Sequence, residues 1–410
     1  MNYLFKLYYA DKEAYLKTYE SRFNFETTLK TRLYIKPYQS EESFQLYYVY
    51  NRETATYIDI VKKNDLRLEE LSKSLPGVAK DAFLLDLISS ELQSTNNLEG
   101  IKSEKSAIIE TARNLLEAKK FSKERFESMV NSYVLLIEKE KLKRPVDSKD
   151  IRTIYDKITQ GEIEDWDLPD GKYFRKEAVF VQKRNSLSGQ AIHKGVQGED
   201  NINQHIADLL RFLEEEDLEL LLKVAISHYY FGYIHPFYDG NGRVSRFIAS
   251  LILRENYNYL TAMSLARGSW IKKNSYYKAF DKTNSAINRG ELNYFVDEFL
   301  KIIIEGQEDI INNLSDKVEK LKKAYDCIEK ETKLLNTELK RVIMFLLFQN
   351  YYFDLNQGLE RTKIIDLAKE KFSVNGIKNE LVELQEAGLI KVIKKHPLIY
   401  IIEEKFLRDL

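Results

Sequence analysis

The chain contains a single cysteine, Cys327, among its 410 residues. One thiol cannot form an intramolecular disulfide, and it cannot supply a cysteine-based zinc cluster. Both kinds of cross-link are therefore excluded, which is compatible with a reducing compartment.

Long apolar runs are also missing. No stretch approaches the roughly 18 apolar residues that a membrane-spanning helix requires. Near the start of the chain, Lys6, Asp11 and Lys12 interrupt the apolar residues, so this region lacks the core of a signal peptide. We expect a soluble, cytoplasmic protein with no membrane partner.

The chain has no excess of charge of either sign. Its 63 Lys and Arg residues face 64 Asp and Glu residues, for a net charge of −1. The whole molecule is therefore not an electrostatic binder of nucleic acid, and any such function would need a local basic patch. Hydrophobic residues make up 44% and charged residues 31%, which is typical of globular proteins. The length allows two or three domains.

Apolar spacing predicts a mainly α-helical fold. From about Gly77 to Glu305, apolar residues recur at intervals of three and four, as in helices. Two β-hairpins are predicted outside this pattern. One joins residues 44–50 and 56–61 around the polar stretch 51–53. The other, at 177–193, is a lone hairpin that must lean on the helical body.

The C-terminal part begins with a run of apolar residues at heptad-like spacing, from Ile311 to Ile328. A connecting helix and a dimer-forming coil both fit this pattern, so a homodimer stays open, although the short run favours the connecting helix. Beyond it, three helices precede a hairpin formed by residues 389–394 and 398–402. Ser373 is predicted to cap the third helix and Gly388 to end it.

The segment with the clearest chemistry lies between two apolar helices. It reads His235-Pro236-Phe237-Tyr238-Asp239-Gly240-Asn241-Gly242-Arg243-Val244-Ser245-Arg246. Proline and two glycines prevent a continuous helix, so the segment forms a tight connection. Backbone amides at the glycines, the positive end of the second helix and two arginines would bind an anion. Asp239 could hold Mg²⁺, and His235 is a base expected to titrate near neutral pH.

This segment fully matches the signature of the Fic family, which it therefore resembles. The resemblance implies transfer of AMP from ATP to a hydroxyl of another protein, with Mg²⁺ as cofactor. It implies that His235 is the base and Asp239 the metal ligand. Gly240, Asn241 and Gly242 would bind the α- and β-phosphates, with Asn241 stabilising charge on the transferred group. Arg243 would hold the β-phosphate and Arg246 the γ-phosphate.

Two further features resemble the family less tightly. Tyr276 and Asn284 stand where the family often carries a Tyr-Tyr pair followed by an Asn beside adenine, but packing of Tyr276 in the core is an open alternative. The 177–193 hairpin resembles the flap that docks a segment of the target protein. The flap residues expected to cover the nucleotide are Ile192, His193, Lys194 and Gly195. An exposed His193 is preferred to a second catalytic histidine.

Upstream, the stretch from Thr95 to Gly100 matches the inhibitory pattern Ser/Thr-x-x-x-Glu-Gly/Asn of the same family. A glutamate before a helix-ending glycine is also a common solvated C-terminus. Beside the Fic signature we favour a regulatory Glu99, which is expected to pair bidentately with Arg246 and compete with the γ-phosphate.

These patterns predict a helical Fic body with a β-hairpin flap, a small N-terminal α/β segment and a C-terminal winged helix. The predicted domains are residues 1–80, the catalytic body 81–305 with its inhibitory helix near 86–100, the connecting helix 306–335, and the winged-helix domain 336–410. The preferred function is a protein adenylyltransferase acting on a Ser, Thr or Tyr hydroxyl of a target docked at the 177–195 flap. A Fic enzyme that uses another nucleotide or removes AMP, and a nucleotide-sensing winged-helix regulator, are the alternatives. DNA binding is possible but not favoured, because glutamates lie on the third helix.

Overall fold

A computed structural model of the chain describes residues 2–116, 126–138, 143–182, 190–215, 217–354 and 357–404. The fold is mainly α-helical, with small antiparallel sheets, as the sequence predicted. The chain forms two compact units, one from residues 1–68 and 88–309, the other from 69–87 and 310–410. Within the described ranges, no helix combines the length and apolarity needed to cross a bilayer. The predicted domain boundaries stay predictions.

The first unit opens with a small α/β segment. Its elements are α1 (Leu4–Ala10), α2 (Lys12–Phe23), β1 (Leu29–Ile35), β2 (Phe44–Tyr48) and α3 (Arg52–Lys73). The two strands pair antiparallel, with Leu29 opposite Tyr48 and Ile35 opposite Phe44. Asp11 caps α2, because its side chain accepts hydrogen bonds from the backbone N–H groups of Glu13 and Ala14.

The predicted hairpin of residues 44–50 and 56–61 is wrong in its second strand. The partner of residues 44–48 is β1, and residues 56–61 belong to α3. Asn51 marks the change, since its Oδ1 accepts a hydrogen bond of 3.0 Å from the backbone N–H of Thr54 and begins the helix. Thr54, Val61 and Leu68 are buried seven residues apart, on one helical face. A short run rich in β-branched residues does not by itself distinguish a strand from a helix.

Helices continue the first unit, interrupted by one β-hairpin. Beginning with the helix shared by the two units, the elements are α4 (Gly77–Glu99), α5 (Lys105–Leu116), α6 (Glu127–Ile137), α7 (Ser148–Ile158), β3 (Phe180–Gln182), β4 (Ala191–Lys194), α8 (Glu199–Glu215), α9 (Leu220–Ile234), α10 (Asn241–Leu253), α11 (Tyr259–Ala262), α12 (Leu265–Ile271), α13 (Lys273–Thr283) and α14 (Asn293–Lys330). Nearly all residues of α9 and α10 are buried, so these two helices form the centre of the unit. A helix buried on every side is a rigid support for the loop that follows it.

The β3–β4 hairpin confirms the predicted lone hairpin among helices. Phe180 lies opposite Lys194, and Val181 lies opposite His193. The predicted loop residues 185–189 lie outside the described residues.

The second unit ends in α15 (Glu338–Phe353), β5 (Leu359–Glu360), α16 (Arg361–Ala368), α17 (Val374–Glu386), β6 (Ile390–Lys395) and β7 (Leu398–Ile402). Three helices followed by a hairpin agree with the sequence prediction, and Ser373 caps α17 by accepting from the backbone N–H of Gly376. Strand β5 was not predicted; it pairs with β7, which gives the sheet order β5-β7-β6. Two residues are too short a run for periodicity to detect.

The heptad-like run lies in the second half of α14. Four of its apolar residues are buried within the monomer, namely Leu314, Val318, Leu321 and Ile328. Tyr325 is 48% exposed and packs its ring edge on Phe345 of α15. This burial favours the connecting-helix interpretation, and a homodimer stays a prediction.

Candidate active site

The signature segment connects α9 to α10, and its backbone conformation has clear local causes. Helix α9 ends at His235, which adopts a left-handed conformation with φ +52°. Pro236 follows and cannot donate the next helical hydrogen bond. Gly240, with φ +81°, precedes the first residue of α10, and a side chain there would also crowd Thr159. The loop is therefore a tight elbow between two buried helices, as the sequence predicted.

Asn241 stabilises this elbow from within. Its side-chain Oδ1 accepts a hydrogen bond of 2.9 Å from the backbone N–H of Phe237, and its Nδ2 donates to the carbonyl of the same residue at 2.8 Å. The amide group expected to stabilise charge on the transferred phosphate is thus engaged with the loop backbone. Only the position of Asn241 in the cavity wall agrees with direct contact to a ligand.

Arg243 is a buried cation that is only weakly compensated. Its side chain is 0% exposed, and none of its three guanidinium nitrogens has a hydrogen-bond partner among the described residues. The nearest carboxylate oxygen is Oδ2 of Asp239, at 3.7 Å from Nη2. Burial lowers the pKa of Arg243, although Asp239 and Glu99 oppose this. Leaving five N–H donors dry and unpaired is costly unless an anion binds them.

Arg246, one helical turn later, is fully engaged. Its Nη2 donates to Oε1 of Glu99 at 2.7 Å, and its Nε donates to the Thr95 hydroxyl at 2.8 Å. Nη2 also donates to the Thr95 carbonyl at 3.2 Å. The expected bidentate pair is therefore wrong, because Thr95 takes the second side of the guanidinium and leaves one hydrogen bond for Glu99.

Glu99 lies at the C-terminal end of α4, and Gly100 follows with φ +79°. The Arg246 guanidinium lowers the pKa of Glu99, although burial acts in the opposite direction as the larger single influence. The carboxylate lies so close to Gly242 that any side chain at that position would collide with it. Glu99 thus sits against the N-terminal turn of α10, in the space where an anion would approach.

His235 is half-buried, and its imidazole faces the cavity. The expectation of a pKa near neutrality is wrong. Burial lowers the pKa of His235 to about 4, with further lowering by His193 and Arg175, whereas Glu99 raises it. The imidazole is therefore neutral at pH 7, and it has a free nitrogen lone pair for a proton.

The cavity beside this elbow has a volume of about 380 Å³. It brings together nine of the predicted site residues, which are Glu99, Ile192, His193, His235, Asn241, Gly242, Arg246, Tyr276 and Asn284. Asp239, Gly240, Arg243, Lys194 and Gly195 do not line it, although the first three belong to the same elbow. The imidazole of His235 and the guanidinium of Arg246 thus line the same cavity.

His193 is buried, which contradicts the expected exposed flap histidine. Its Nε2 donates to the carbonyl of Tyr233 at 2.7 Å, and that carbonyl belongs to the last turn of α9. Burial lowers the pKa of His193 to about 4. The last four carbonyls of a helix lack internal partners, so a histidine from the adjacent strand is used to satisfy one of them.

Gly195 and Lys194, the last two residues of the flap, make contacts of different kinds. Gly195 donates its N–H to the carbonyl of Val179 at 3.0 Å, and a Cβ there would lie 2.5 Å from Nη2 of Arg175. The Lys194 ammonium donates to Gln197 at 2.9 Å.

Tyr276 and Asn284 also line the cavity, and their hydrogen-bonding groups contact buried residues. The Tyr276 hydroxyl contacts Nε2 of His228 at 2.9 Å and Nη1 of Arg246 at 3.4 Å. Asn284 accepts a hydrogen bond of 2.8 Å from the hydroxyl of Tyr229. Both residues therefore combine core packing with a place in the cavity wall, so the two interpretations of Tyr276 are compatible.

Four site residues received no role from the sequence. Arg175 and His228 are buried polar groups that carry no periodic or motif signal. Nδ1 of His228 lies 2.8 Å from the Ser245 hydroxyl, and burial, aided by Arg246, lowers its pKa to about 3. Thr95 is the first residue of the inhibitory pattern, so its contact with Arg246 could have been anticipated. Tyr277 donates to the carbonyl of Leu98 at 2.9 Å and joins α13 to the end of α4.

Asp239 is the carboxylate available for a metal in the elbow. Its Oδ1 accepts from the backbone N–H of Gly240 at 2.6 Å, and the side chain is 48% exposed. No cluster of three or more His, Cys, Asp or Glu side chains suited to a metal occurs in the described part of the chain. A single carboxylate fits Mg²⁺ only where phosphate oxygens and water complete its coordination, as is usual for this ion.

This chain is similar to one protein family and to several solved structures. Residues 145–253 match the model of the Fic/DOC family. A Fic family protein from Desulfovibrio desulfuricans is 18% identical, with a TM-score of 0.49, over 87% of this chain and 97% of that chain. A Fic domain containing signaling protein from Bacteroides thetaiotaomicron is 16% identical, with a TM-score of 0.40, over 65% of this chain and 97% of that one. Fic-1 from C. elegans is 16% identical, with a TM-score of 0.41, over 65% and 74%.

The helical elbow, its flap and the matched residues define one class of protein. This chain carries a domain of the Fic/DOC family, as the sequence predicted.

Proposed function

We propose that this protein is a protein adenylyltransferase, which transfers AMP from ATP to a hydroxyl side chain of a target protein and is restrained by Glu99. The observation that carries the proposal is the Arg243 guanidinium, which is fully buried and has no hydrogen-bond partner in the described part of the chain. Such a cation at the positive end of a helix is unfavourable by itself, and it is explained by a polyanionic ligand.

ATP meets this requirement with three linked phosphates. The β-phosphate would pair with Arg243, and the γ-phosphate would pair with Arg246 on the next turn of α10. The backbone amide of Gly242 supplies a further donor to the phosphate chain, whereas that of Gly240 is bonded to Asp239. The base would lie against the far wall, beside Tyr276 and Asn284. This placement directs the α-phosphate toward His235.

The reaction is a substitution at the α-phosphorus. His235 accepts the proton of the target hydroxyl through its neutral nitrogen while the oxygen attacks phosphorus. The bond from the α-phosphorus to the bridging oxygen of the β-phosphate breaks, and pyrophosphate leaves with the electron pair. Fixed N–H donors and arginines stabilise the charge that develops on the phosphate oxygens. The protonated imidazole later releases its proton to solvent.

Magnesium fits this scheme as a cofactor held by Asp239 and phosphate oxygens. When bound, Mg²⁺ would neutralise charge on the departing pyrophosphate.

Glu99 competes with the γ-phosphate for the same guanidinium. Its carboxylate occupies Nη2 of Arg246 at 2.7 Å and lies against Gly242. A phosphate entering this space meets a like charge, so ATP is excluded or held with its α-phosphate out of line for attack. Binding of ADP, which lacks the γ-phosphate, is expected to change little when Glu99 is replaced. Orienting a water for the removal of AMP is a second chemistry open to the same carboxylate.

The 177–195 flap would present the target. Strand β3 pairs with β4 on one side, so its other edge offers backbone groups for an extended segment. A Ser, Thr or Tyr in that segment would lie next to the cavity that holds His235.

The decisive experiment incubates wild type, Glu99→Gly and Glu99→Gly/His235→Ala with Mg²⁺, a soluble protein extract and ATP radiolabelled at the α-phosphate. We expect Glu99→Gly to label acceptor protein about 100-fold faster than wild type, the scale of a corrected misalignment. The double variant should not label, and mass spectrometry should find an AMP adduct. Equal labelling by wild type and Glu99→Gly would remove the restraint from the proposal.

Parallel reactions separate the alternatives. Label transferred only from ATP marked at the γ-phosphate would identify phosphate transfer, and label from UTP alone would identify another nucleotide. Loss of AMP from a labelled acceptor in the presence of wild type would identify removal. Calorimetry that detects no magnesium-dependent uptake of any nucleoside triphosphate by Glu99→Gly would overturn the nucleotide site itself.

A further inference from the structure

Arg175 is a buried arginine that precedes the flap and has only backbone partners. Its side chain is 0% exposed, yet no salt bridge to it occurs in the described residues. Instead, Nε donates to the carbonyl of His235 at 2.9 Å, Nη2 donates to the carbonyl of Val196 at 2.8 Å, and Nη1 donates to the carbonyl of Glu177. A planar guanidinium is suited to this task because its donors have a fixed geometry.

These three carbonyls belong to three places of functional interest. Glu177 stands just before β3, Val196 stands just after β4, and His235 carries the imidazole. A single side chain therefore connects both ends of the flap to the peptide unit of the base.

The end of α9 needs such partners. The four carbonyls from Tyr233 to Pro236, at the end of α9 and just beyond it, are bonded from the flap or its flanks. His193 reaches the carbonyl of Tyr233, the backbone N–H of Val196 reaches that of Ile234 at 3.0 Å, and the backbone N–H of Arg175 reaches that of Pro236 at 3.2 Å. The side chain of Arg175 supplies the remaining bond, to His235.

That bond acts on a strained residue. His235 is not glycine, yet it has φ +52°, a conformation that side chains disfavour and that persists only where the surroundings impose it. The direction of the imidazole depends on this conformation. Fixing the His235 carbonyl therefore fixes the backbone from which the imidazole projects, and the imidazole itself is further held by a hydrogen bond to the backbone of Gly232.

We propose that Arg175 is a positioning residue, whose guanidinium holds the strained His235 peptide and both flap ends in one arrangement, so that the base meets the acceptor hydroxyl. The inference rests on the proposed function, since it assigns the flap and the base to the same transfer step. Gly195 is part of the arrangement, because a side chain there would crowd both Arg175 and His235.

The test compares Arg175→Lys and Arg175→Met in the Glu99→Gly background, with Arg211→Met as the matched control at an exposed position. Misplacement of the base by about 1 Å is expected to lower kcat about 100-fold in Arg175→Met. The kcat of Arg175→Lys should be intermediate, since lysine keeps the positive charge but lacks the planar set of guanidinium N–H donors. The Kd for ATP by calorimetry should change by less than about twofold, because Arg175 makes no contact with the phosphate cradle. Arg211→Met should match its parent throughout.

A second readout does not require turnover. The imidazole of His235 faces Arg175, His193 and Glu99, so removing the Arg175 cation should raise the pKa of His235 in an NMR titration. Backbone amides of residues 191–197 should also exchange hydrogen faster in Arg175→Lys, provided that its circular dichroism matches the parent.

Each outcome has a distinct meaning. If Glu99→Gly itself transfers no nucleotide, the proposed function fails, and the titration and exchange still test Arg175. If Glu99→Gly transfers and both Arg175 variants keep kcat within about twofold, Arg175 is not a positioning residue. The same conclusion follows if kcat falls only in step with ATP affinity. It also follows if the His235 titration is unchanged in a folded Arg175→Met variant and hydrogen exchange is unchanged in a folded Arg175→Lys variant.

Discussion

Two buried arginines on one helix differ in their hydrogen bonds and therefore in their effect on stability. Arg243 and Arg246 lie three residues apart on α10, and both are buried. Arg246 has Thr95 and Glu99 as partners, whereas Arg243 has no hydrogen-bond partner among the described residues. The free energy of folding is therefore affected in opposite ways by the two side chains.

This difference predicts opposite effects on stability. Arg243→Met should raise the free energy of unfolding of the ligand-free protein by about 1–2 kcal/mol, because it removes a buried charge that has no hydrogen-bond partner among the described residues and only the distant carboxylate of Asp239 opposite it. Arg246→Met should lower it by roughly 3 kcal/mol, because Glu99 then loses its counter-charge. Urea titration of both variants measures the two changes.

Both variants should also bind ATP more weakly than their parent. Arg243→Met should therefore be more stable than its parent and yet bind ATP less well. A destabilised Arg243→Met protein would contradict the weak compensation of this charge and indicate that the guanidinium has a hydrogen-bond partner.

At the scale of elements, the flap and the end of α9 form one hydrogen-bonded assembly. Strand β4 provides His193 and leads to Val196, and both bond to consecutive carbonyls of α9. The flap is thereby attached to the helix that carries the base. Attachment through a buried histidine makes this assembly sensitive to acid.

The sign of that sensitivity follows from His193. Its pKa is about 4 in the folded protein and near 6.5 in an unfolded chain, so the unfolded state binds more protons between these values. Stability is therefore complete above about pH 6.5 and declines as the pH falls toward 4. The full effect is about 3 kcal/mol for this residue.

His193→Gln tests this relation, since glutamine can also donate to the Tyr233 carbonyl but does not titrate. At pH 8 its free energy of unfolding should lie within about 1 kcal/mol of wild type. At pH 4.5 the variant should have lost about 2 kcal/mol less than wild type. Parallel pH profiles for the two proteins would show that His193 is not the buried neutral group described here.

At the scale of the whole molecule, charge argues against nucleic acid as the main partner. The net charge is −1. In the second unit, Lys340 on α15 lies 3.4 Å from Glu380 and 2.7 Å from Glu383 of α17, so a basic residue there is already neutralised. Of the two, Glu383 is 58% exposed and keeps a carboxylate at the surface of α17, where a DNA-reading helix would need cations.

We accordingly expect weak, non-specific DNA binding, with a Kd above about 100 µM at physiological salt in fluorescence anisotropy with a mixed-sequence duplex. The matched variant Glu380→Gln/Glu383→Gln removes two negative charges and should bind more tightly, with a steeper salt dependence. Wild type that retained a duplex at nanomolar concentration would instead favour the winged-helix regulator among the functional alternatives.

Much of the fold was readable from local patterns, and the failures have physical causes. Helices α9 and α10 follow from long apolar runs separated by Pro236 and two glycines. The hairpin expected at residues 44–61 was wrong in its second strand. The short run at residues 56–61 fits the spacing of a strand as well as that of a helix, and the hydrogen bond from the N–H of Thr54 to Asn51 begins a helix there. Strand β5 was missed because it is two residues long.

The candidate site was likewise predictable in part. The sequence contained the complete elbow from His235 to Arg246 and the pattern from Thr95 to Gly100, since both are contiguous motifs whose residue types imply their chemistry. It did not identify Arg175 or His228, because their partners are backbone carbonyls and hydroxyls distant along the chain.

The sequence by itself determined the helical class, the elbow and the kind of ligand it suits, because propensity, glycine spacing and charge act between near neighbours. Only the tertiary structure decided that His193 is buried and that His235 is neutral well below pH 7. It also decided that Arg243, unlike Arg246, has no hydrogen-bond partner among the described residues, and that Arg175 joins the flap to the base. Each of these depends on desolvation and on hydrogen bonds between segments far apart in the chain, and neither quantity exists until the chain has folded.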